Sequence, residues 1–547
     1  MSSGGASKPK KSGGAPKPAV KPKSGGASKP EVEMPDVDNA AKLFEAELTG
    51  QIKDLERLFT LYLSDPTDCS RSTVYTALRK LLEAHPFVRS ETTTVDSVGH
   101  EFNATGFTID LWKFRKWLQT ADGKPYKGIK GTGVDDTVYL FSAFLRQFLP
   151  RGLHIVTATN KETGAETVFA FRGIPKFSGL VKTDEDEESA ASGSGAFLFG
   201  KMADAKKVYV TEKSNGENAK LGMILLDGEL YLIAGSKTTF TIWPAEADYF
   251  DSYPLKDGER PDGDYPSTTI GKIYSEWFRG LTDTQKNEFE AEFAKHGYNA
   301  TIIAEINRKW EQHIVPINMT HLAFVSFLGP DGKSIDPKKA FEFFRRVGVT
   351  DSSTDTVRHV SVREVAVTDS DCVDRIVAEI RDGVNSEGGV LYIFGDDDLV
   401  GLVKVKTAWY VIRRGLRELF RGFLKTLMNG ECKGIGHIKT KRNQKPNPKS
   451  DPKTQQTKEF SKLVSVVMKT AKDRFGGLGD AFVTFMLKRL ASTVEVDYAG
   501  LVKYVAEQSL PTGTEMTLLM EAVKKLTGEF NADFPQLMAE CSAQNTA

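Results

Sequence analysis

Cysteine is scarce in this chain: Cys69, Cys372, Cys432 and Cys541 are the only four in 547 residues. They lie far apart and form no C-x-x-C, which excludes a disulfide framework and a cysteine-rich zinc module. Long apolar runs are missing too. No stretch reaches 18 apolar residues, so neither a membrane-spanning helix nor a membrane partner is expected. The N-terminus lacks the apolar core of a secretory signal. There is no G-x-x-x-x-G-K-[ST] phosphate loop, and the eight histidines contain no pair of H-x-[ST] motifs. An excess of one charge is also lacking, because 73 Lys and Arg balance 73 Asp and Glu. Whole-chain charge therefore names no partner. Together these absences predict an intracellular protein, cytoplasmic or nuclear.

What is present suffices for two to four domains. Hydrophobic residues make up 40% and charged residues 27%, a composition that builds sizeable cores. Residues 1–38 repeat a Ser-Gly-Gly-Ala unit followed by Lys-Pro, with seven lysines and no acid in the first thirty. Such a segment cannot bury a core and is expected to be disordered. It reads either as a polycation for nucleic acid phosphates or as a plain solvated tail. Residues 39–150 read as mainly helical, from the spacing of Leu48, Ile52, Leu55, Leu58 and Phe59, and of Phe107, Leu111, Trp112, Phe114 and Trp117. The aromatic stripe is read as core in preference to a base-stacking platform.

From 151 to 410 the pattern changes to short β-rich segments. Asp227-Gly228, between two apolar runs, predicts a hairpin. The acidic stretch 184–188 is read as a solvated loop. From 411 to 547 the chain reads as helical, with 3.6-residue periodicity over 407–429, 457–474, 480–491, 499–508 and 514–528. A lysine- and proline-rich loop is expected at 439–458.

The chemistry is expected at Lys213. Val208-Tyr209-Val210-Thr211-Glu212 is a strand pattern, and Asn215-Gly216 breaks it. Lys213 stands where strand meets turn, so its amine can project into a cleft. A lysine there is a nucleophile once its charge is suppressed by desolvation or nearby cations. Attack on the α-phosphate of a nucleotide would also need cationic clamps, a ribose acceptor and carboxylates for a divalent metal. Candidates follow in order along the chain. Glu305 interrupts the apolar strand 301–306, and Glu387 stands just before another. Lys404 and Lys406 share one face of a strand. Lys237 ends the hairpin, while Arg172 and Lys176 lie upstream of the nucleophile.

In this order the segments resemble the covalent nucleotidyltransferases, the superfamily of ATP-dependent ligases and mRNA capping enzymes. Within it they most resemble ATP-dependent RNA ligases of the phage tRNA-repair type. Residues 212–216 resemble motif I, Glu305 the ribose-binding glutamate of motif III, and 386–390 motif IV, whose acid serves the metal. Residues 402–406 resemble motif V, whose lysines contact the α-phosphate. Phe324 or Phe327 stands for the aromatic of motif IIIa. The His313-Ile314-Val315-Pro316 run also resembles these ligases. Asn215 departs from the pattern, which usually has aspartate or histidine there.

The resemblance implies an α+β chain: an antiparallel-sheet nucleotidyltransferase domain at 151–410, an N-terminal helical region and an all-helical C-terminal domain. It implies Lys213 as nucleophile, with Lys404 and Lys406 at the α-phosphate helping to keep Lys213 neutral. It implies nucleotide contacts from Glu212, Asn215, Gly216, Lys237, Glu305, Phe324, Arg172 and Lys176, and a metal ligand in Glu387. The cofactors implied are ATP with Mg²⁺ or Mn²⁺. The partner implied is RNA with 5′-phosphate and 3′-hydroxyl ends. No kinase or phosphodiesterase motif accompanies the site, so the expectation is either that separate end-healing enzymes prepare those ends or that the substrate already carries them. Two alternatives stay open: a guanylyltransferase or DNA ligase of the same superfamily, and a catalytically silent RNA-binding protein on a ligase scaffold.

Overall fold

The computed structural model describes residues 49–65, 67–117, 138–139, 142–177, 179, 197–254, 265–429, 452–493 and 514–546. The lysine-rich residues 1–38, the acidic stretch 184–188, most of the 439–458 segment and the helix expected at 499–508 lie outside them. The fold is mixed α/β, with three sheets that are antiparallel except for one pair.

The first sheet runs in order β1 (Val88–Asp96), β2 (His100–Ile109), β3 (Leu153–Asn160), β4 (Glu166–Phe171). One face carries α1 (Thr49–Ser64) and α2 (Asp68–Ala84), with α3 (Leu111–Trp117) and α4 (Ala143–Phe148) alongside. A Thr67–Ser70 capping box starts α2.

Among the described residues the mainly helical reading of 39–150 fits 49–64, 68–84, 111–117 and 143–148 but fails at 88–109. A two-stranded hairpin lies at 88–109, Phe107 is a strand residue, and the sheet continues past residue 150. The strand signal was weak because β1 is exposed along nearly its whole length. It shows no apolar alternation, only β-branched residues.

The other face of this sheet packs on the second sheet through Phe102, Val156, Phe169, Tyr231 and Ile233. The second sheet is built from β6 (Glu217–Leu226), β7 (Glu229–Gly235), β8 (Thr241–Pro244), β9 (Thr301–Asn307), β10 (His321–Leu328) and β11 (Val357–His359), in order β11-β10-β9-β6-β7-β8. Its hairpin turn is the expected Asp227-Gly228, with φ of 48° and 82°, as a type I′ turn requires. The reverse face is covered by α5 (Pro266–Gly280), α6 (Asp283–Lys295) and α7 (Pro337–Arg346), through Tyr274, Phe289, Phe293 and Phe344.

The third sheet, β12-β5-β13-β14, joins β5 (Lys207–Glu212), β12 (Val362–Ala366), β13 (Gly388–Phe394) and β14 (Leu399–Lys406). One face buries α8 (Cys372–Arg381). The other turns to the second sheet, where the Tyr392 hydroxyl donates to the Val325 carbonyl at 3.4 Å. Asp336, the N-cap of α7, accepts from both Lys207 and Tyr209 and ties the two sheets together.

After Lys406 the described residues are helical. They form α9 (Ala408–Asn429), α10 (Pro452–Thr493), α11 (Thr514–Ala532) and α12 (Phe534–Thr546). Gly476, at φ 60°, breaks α10 into two segments, between the two stretches whose periodicity marked separate helices. Helix begins at Pro452, inside the stretch expected to be loop. The bundle core includes Leu416, Phe420, Phe482, Phe530 and Phe534, together with Ile314 from the loop after β9. That loop and α9 therefore meet beside the strand ends that carry Lys213. No helix among the described residues is long and apolar enough to cross a membrane.

Candidate active site

β5 delivers Lys213. Side chains alternate along a strand, so Tyr209, Thr211 and Lys213 face the second sheet. The Lys213 backbone N–H donates to the Gly388 carbonyl at 2.9 Å, which fixes the residue against the start of β13. Its Nζ lies 2.7 Å from Glu387 Oε1. Glu387 is buried and its position depends on Gly388. That glycine sits at φ +140°, and a Cβ there would run into the Val405 carbonyl.

Thr407 links the same segment to the helical region. Its N–H donates to the Glu387 carbonyl at 3.1 Å. Its hydroxyl donates to the Ser386 carbonyl at 2.9 Å and accepts from the Tyr410 N–H at 3.0 Å. The first turn of α9 is thereby capped and tied to Glu387.

The turn after Lys213 is held from below. The Gly216 N–H donates to Glu305 Oε2 at 2.8 Å, and a Cβ on Gly216 would come within 2.6 Å of the Ile306 carbonyl. Asn307 donates to the Ser214 hydroxyl at 3.0 Å, and Asn215 donates to the Val315 carbonyl at 3.0 Å. Arg308 forks onto Glu217.

These segments close around a cavity of about 360 Å³. Lys213, Asn215, Gly216 and Glu387 form one side. His313, Tyr410, Arg414, Arg417 and Glu418 form the other. Among the described residues Lys213 is the only lysine on its wall. Two arginines and a histidine face the same space, an arrangement suited to a polyanion.

The charge state of Lys213 differs from expectation. Burial alone would lower its pKa, but the carboxylates of Glu387 and Glu305 outweigh burial and hold the amine above its ordinary value. The resting amine is an ammonium. Lys404 and Lys406 do not keep it neutral. Burial is also the main reason the Glu305 carboxyl is pushed up to about 7. Glu387 and Glu212 add to that effect, against Lys213 and the Gly216 N–H. The Tyr410 hydroxyl is pushed up to about 12, by burial and then by Glu387. The His313 imidazole is lowered, by burial and then by Arg417.

Lys213, Asn215, Gly216 and Glu387 thus share the cavity wall, with Glu305 hydrogen-bonded to it from behind. Lys404 and Lys406 pair with Val390 and Gly388, on the sheet face shared with Lys213 and two strands away, about 10 Å by strand spacing. They are not on the cavity wall. Glu212 is exposed, its side chain opposite to that of Lys213. Lys237 is exposed beyond the end of β7.

Phe324 is no base platform. It is fully buried among the helices, edge-on to Trp277 at 5.7 Å and to Phe344 at 5.2 Å. The register of β9 with β10 puts Phe324 opposite Ala304 and Ala323 opposite Glu305, so Phe324 faces away from the cleft. Phe327 is buried in the same core. Arg172 and Lys176 line a different cavity, with Tyr75 and Asp331.

Tyr410, Arg414 and Arg417 were missed by sequence reasoning. Their signal is an i, i+4, i+7 stripe on one face of a predicted helix, directly after the second lysine of the 402–406 strand. Thr407 and Asn307 act through hydrogen bonds between segments distant in sequence and left no pattern to find.

A divalent metal would find carboxylates here in Glu387 and Glu418 on the wall and in Glu305 behind it. Among the described residues no group of three or more His, Cys, Asp or Glu could hold a metal ion. The donor set therefore fits a hard cation that takes its remaining ligands from water and phosphate oxygens, as Mg²⁺ and Mn²⁺ at nucleotides do. It does not make an all-protein cage. Asn215 donates its amide N–H to Val315, and its side-chain oxygen, the atom a metal would take, carries no charge.

No family model matches the chain, and no curated protein matches it. Among solved structures it is similar to an archaeal ATP-dependent RNA ligase in two forms. Form 1 is 13% identical, with 63% of this chain and 65% of that one covered and a TM-score of 0.32. Form 2 is 11% identical, with 79% and 85% covered and a TM-score of 0.35. A mutant of the Naegleria gruberi RNA ligase with ATP and Mn is 13% identical, with 39% and 52% covered and a TM-score of 0.25. The chain thus spans less than two thirds of the length of the first of these ligases.

Proposed function

We propose that this chain is an ATP-dependent RNA ligase that seals 5′-phosphate and 3′-hydroxyl ends through a lysyl-AMP intermediate on Lys213. The observation that carries the reading is the cavity in which Lys213 meets Glu387 at 2.7 Å, faced by Arg414 and Arg417. It combines a nucleophile, metal-competent carboxylates and phosphate clamps in one space.

In the first step the Lys213 amine, having lost its proton, forms a bond to the α-phosphorus as the bond to pyrophosphate breaks. Arg414 and Arg417 stand opposite the amine, where they can neutralise charge on the phosphates as it develops. Lys404 and Lys406, on the same sheet face, are suited to the α-phosphate oxygens. Glu305, gripped by the Gly216 N–H, is placed to accept from a ribose hydroxyl. A Mg²⁺ or Mn²⁺ ion held by Glu387 would screen the triphosphate and draw that carboxylate away from Lys213. Burial then remains as the largest influence on the amine, and burial lowers its pKa. AMP passes next to the 5′-phosphate of RNA, and attack by the 3′-hydroxyl releases it.

Incubation with α-labelled ATP or GTP and Mg²⁺ or Mn²⁺ tests the reading. Label should enter from ATP, survive denaturation and vanish in Lys213→Ala. Label from GTP alone would make the chain a guanylyltransferase. The ammonium–carboxylate pair at Lys213 favours a second reading, a silent RNA-binding scaffold, and uptake from neither nucleotide would select it.

A further inference from the structure

We propose that this chain pairs with a second copy of itself through the outer edge of β1, the two strands running antiparallel about a two-fold axis at Thr92. The first sheet then continues from one copy into the other. β1 spans nine residues, Val88–Asp96, and is exposed from Arg89 to Thr94. It ends its sheet, with no strand beyond it among the described residues. An open strand edge is a template for another strand unless it is guarded.

The hydrogen bonds at its two ends fix which backbone groups face outward. The Ser97 N–H donates to the His100 carbonyl at 3.0 Å, and the Asp110 N–H to the Phe87 carbonyl at 2.7 Å. Both pairs continue the β1–β2 register, in which Val88 opposes Ile109 and Asp96 opposes Glu101. Bonded and non-bonded pairs alternate along an antiparallel ladder, so the odd-numbered residues of β1 turn their backbone groups to β2. Ser90, Thr92 and Thr94 aim theirs the other way.

β1 itself carries no guard. It has no proline and no lysine, and its register with β2 has no bulge. Its one arginine, Arg89, is paired with Glu91 at 3.3 Å. Other edges are covered or short. The Val168 N–H of β4 donates to the Ser72 hydroxyl at 3.0 Å, and Val400 of β14 accepts from the Phe199 and Gly200 N–H groups. β8, β11 and β12 run to 4, 3 and 5 residues, too short to offer a comparable ladder.

The strand suits a second copy in particular. With the axis at Thr92, Ser90 pairs with Thr94 of the other copy and Thr92 with its own counterpart, hydroxyl pairs that stabilise a sheet. No like charges stand opposite, because Arg89 meets Val95 and Glu91 meets Thr93. An axis at Arg89 or Glu91 would oppose like charges. An axis at Ser90 would set Thr94 against Pro86, which has no N–H to give. The ends of the strand agree. Val98, in the turn after β1, is 91% exposed, and Trp112, in α3 beside the Val88 end, is 70% exposed. They are the two most exposed large apolar side chains among the described residues. Antiparallel pairing about Thr92 brings the Val98 turn of each copy level with the Trp112 end of the other, where each can cover the other from water.

Sedimentation equilibrium of the full chain over a concentration series tests this, and should reach twice the chain mass. Hydrogen exchange at the Ser90, Thr92 and Thr94 amides should slow in step with the dimer fraction. Thr92→Pro removes only an outward N–H, which an edge strand tolerates. Thr92→Lys sets like charges across the axis. Both variants should lose the dimer and keep the wild-type far-UV circular dichroism. A wild-type chain that stays monomeric throughout the series would overturn the proposal, and so would a dimer that survives in both folded variants. Slow exchange of the three amides in a monomer would overturn it too, by giving the edge to another segment of the same chain.

Discussion

The Asn215 side-chain amide donates to the Val315 carbonyl at 3.0 Å, and through it the turn after Lys213 is tied to the loop that enters the helical core at Ile314. An aspartate, usual at this point of the resembled motif, has no proton to give at neutral pH. It would set a negative charge against the carbonyl oxygen. Asn215→Asp should therefore destabilise the chain by about 1–3 kcal/mol, although it restores the commoner residue. Urea unfolding of the variant beside the wild type measures this, and an unchanged midpoint would mean that the tether is dispensable.

The Lys213–Glu387 pair has an alkaline signature. Folded Lys213 holds its proton more tightly than an unfolded lysine, whose pKa is about 10.4. The pair thus contributes stability at every pH below that value and loses it as pH rises through the higher folded value. Glu387→Gln leaves a buried ammonium without its partner and should cost about 3 kcal/mol near neutrality. Thermal melts from pH 8 to 11 should fall for the wild type above about pH 10, while the variant, left with burial as the main influence on Lys213, should not fall. Parallel curves would remove the pair from the account.

Lys213, Glu305 and Glu387 were legible because each is a charge set against an apolar strand pattern, at an end or in the middle, where a core reading fails. The hairpin at Asp227-Gly228 was legible because few residues tolerate positive φ at both positions. Phe324 was misread because motif order locates a strand without saying which face a residue takes. The pairing with β9 decides that, and it sends Phe324 to the helices. Arg414 and Arg417 were hidden by a different ambiguity. A basic stripe on an amphipathic helix looks the same whether it faces water or a cavity, and the bonds from Thr407 to Ser386 and Glu387 aim α9 at the site. For Arg172, the hydroxyl that holds it comes from Tyr75, 97 residues away.

Glu305 makes an opposite kind of acid-range prediction. Its folded pKa of about 7 lies above the ordinary glutamate value of 4.5. The folded chain therefore holds a proton there that the unfolded chain releases. Stability from this group is complete below pH 4.5 and declines as pH rises to about 7. Glu305→Gln keeps an acceptor for the Gly216 N–H and should abolish the decline. Urea midpoints at pH 4.5, 6 and 7.5 for both proteins measure it, and a wild-type midpoint that rises over this window would contradict the assignment.

Arg414 and Arg417 give the sharpest division between a phosphate clamp and a merely basic helix. Both line the Lys213 cavity from α9, while Arg421, one turn further on, is exposed. If the first two neutralise phosphate oxygens as pyrophosphate leaves, each alanine variant should lower the rate of label transfer from ATP by about 10²-fold. Lysine substitutions should recover only part of that, since an ammonium keeps the charge but loses the fork. Arg421→Ala removes the same charge from the same helix and should leave the rate unchanged. Single-turnover labelling of the five variants at saturating ATP separates the cases. Equal losses at all three positions would reduce the effect to the helix's general field, because only side chains that reach the cavity can act on a charge that develops there.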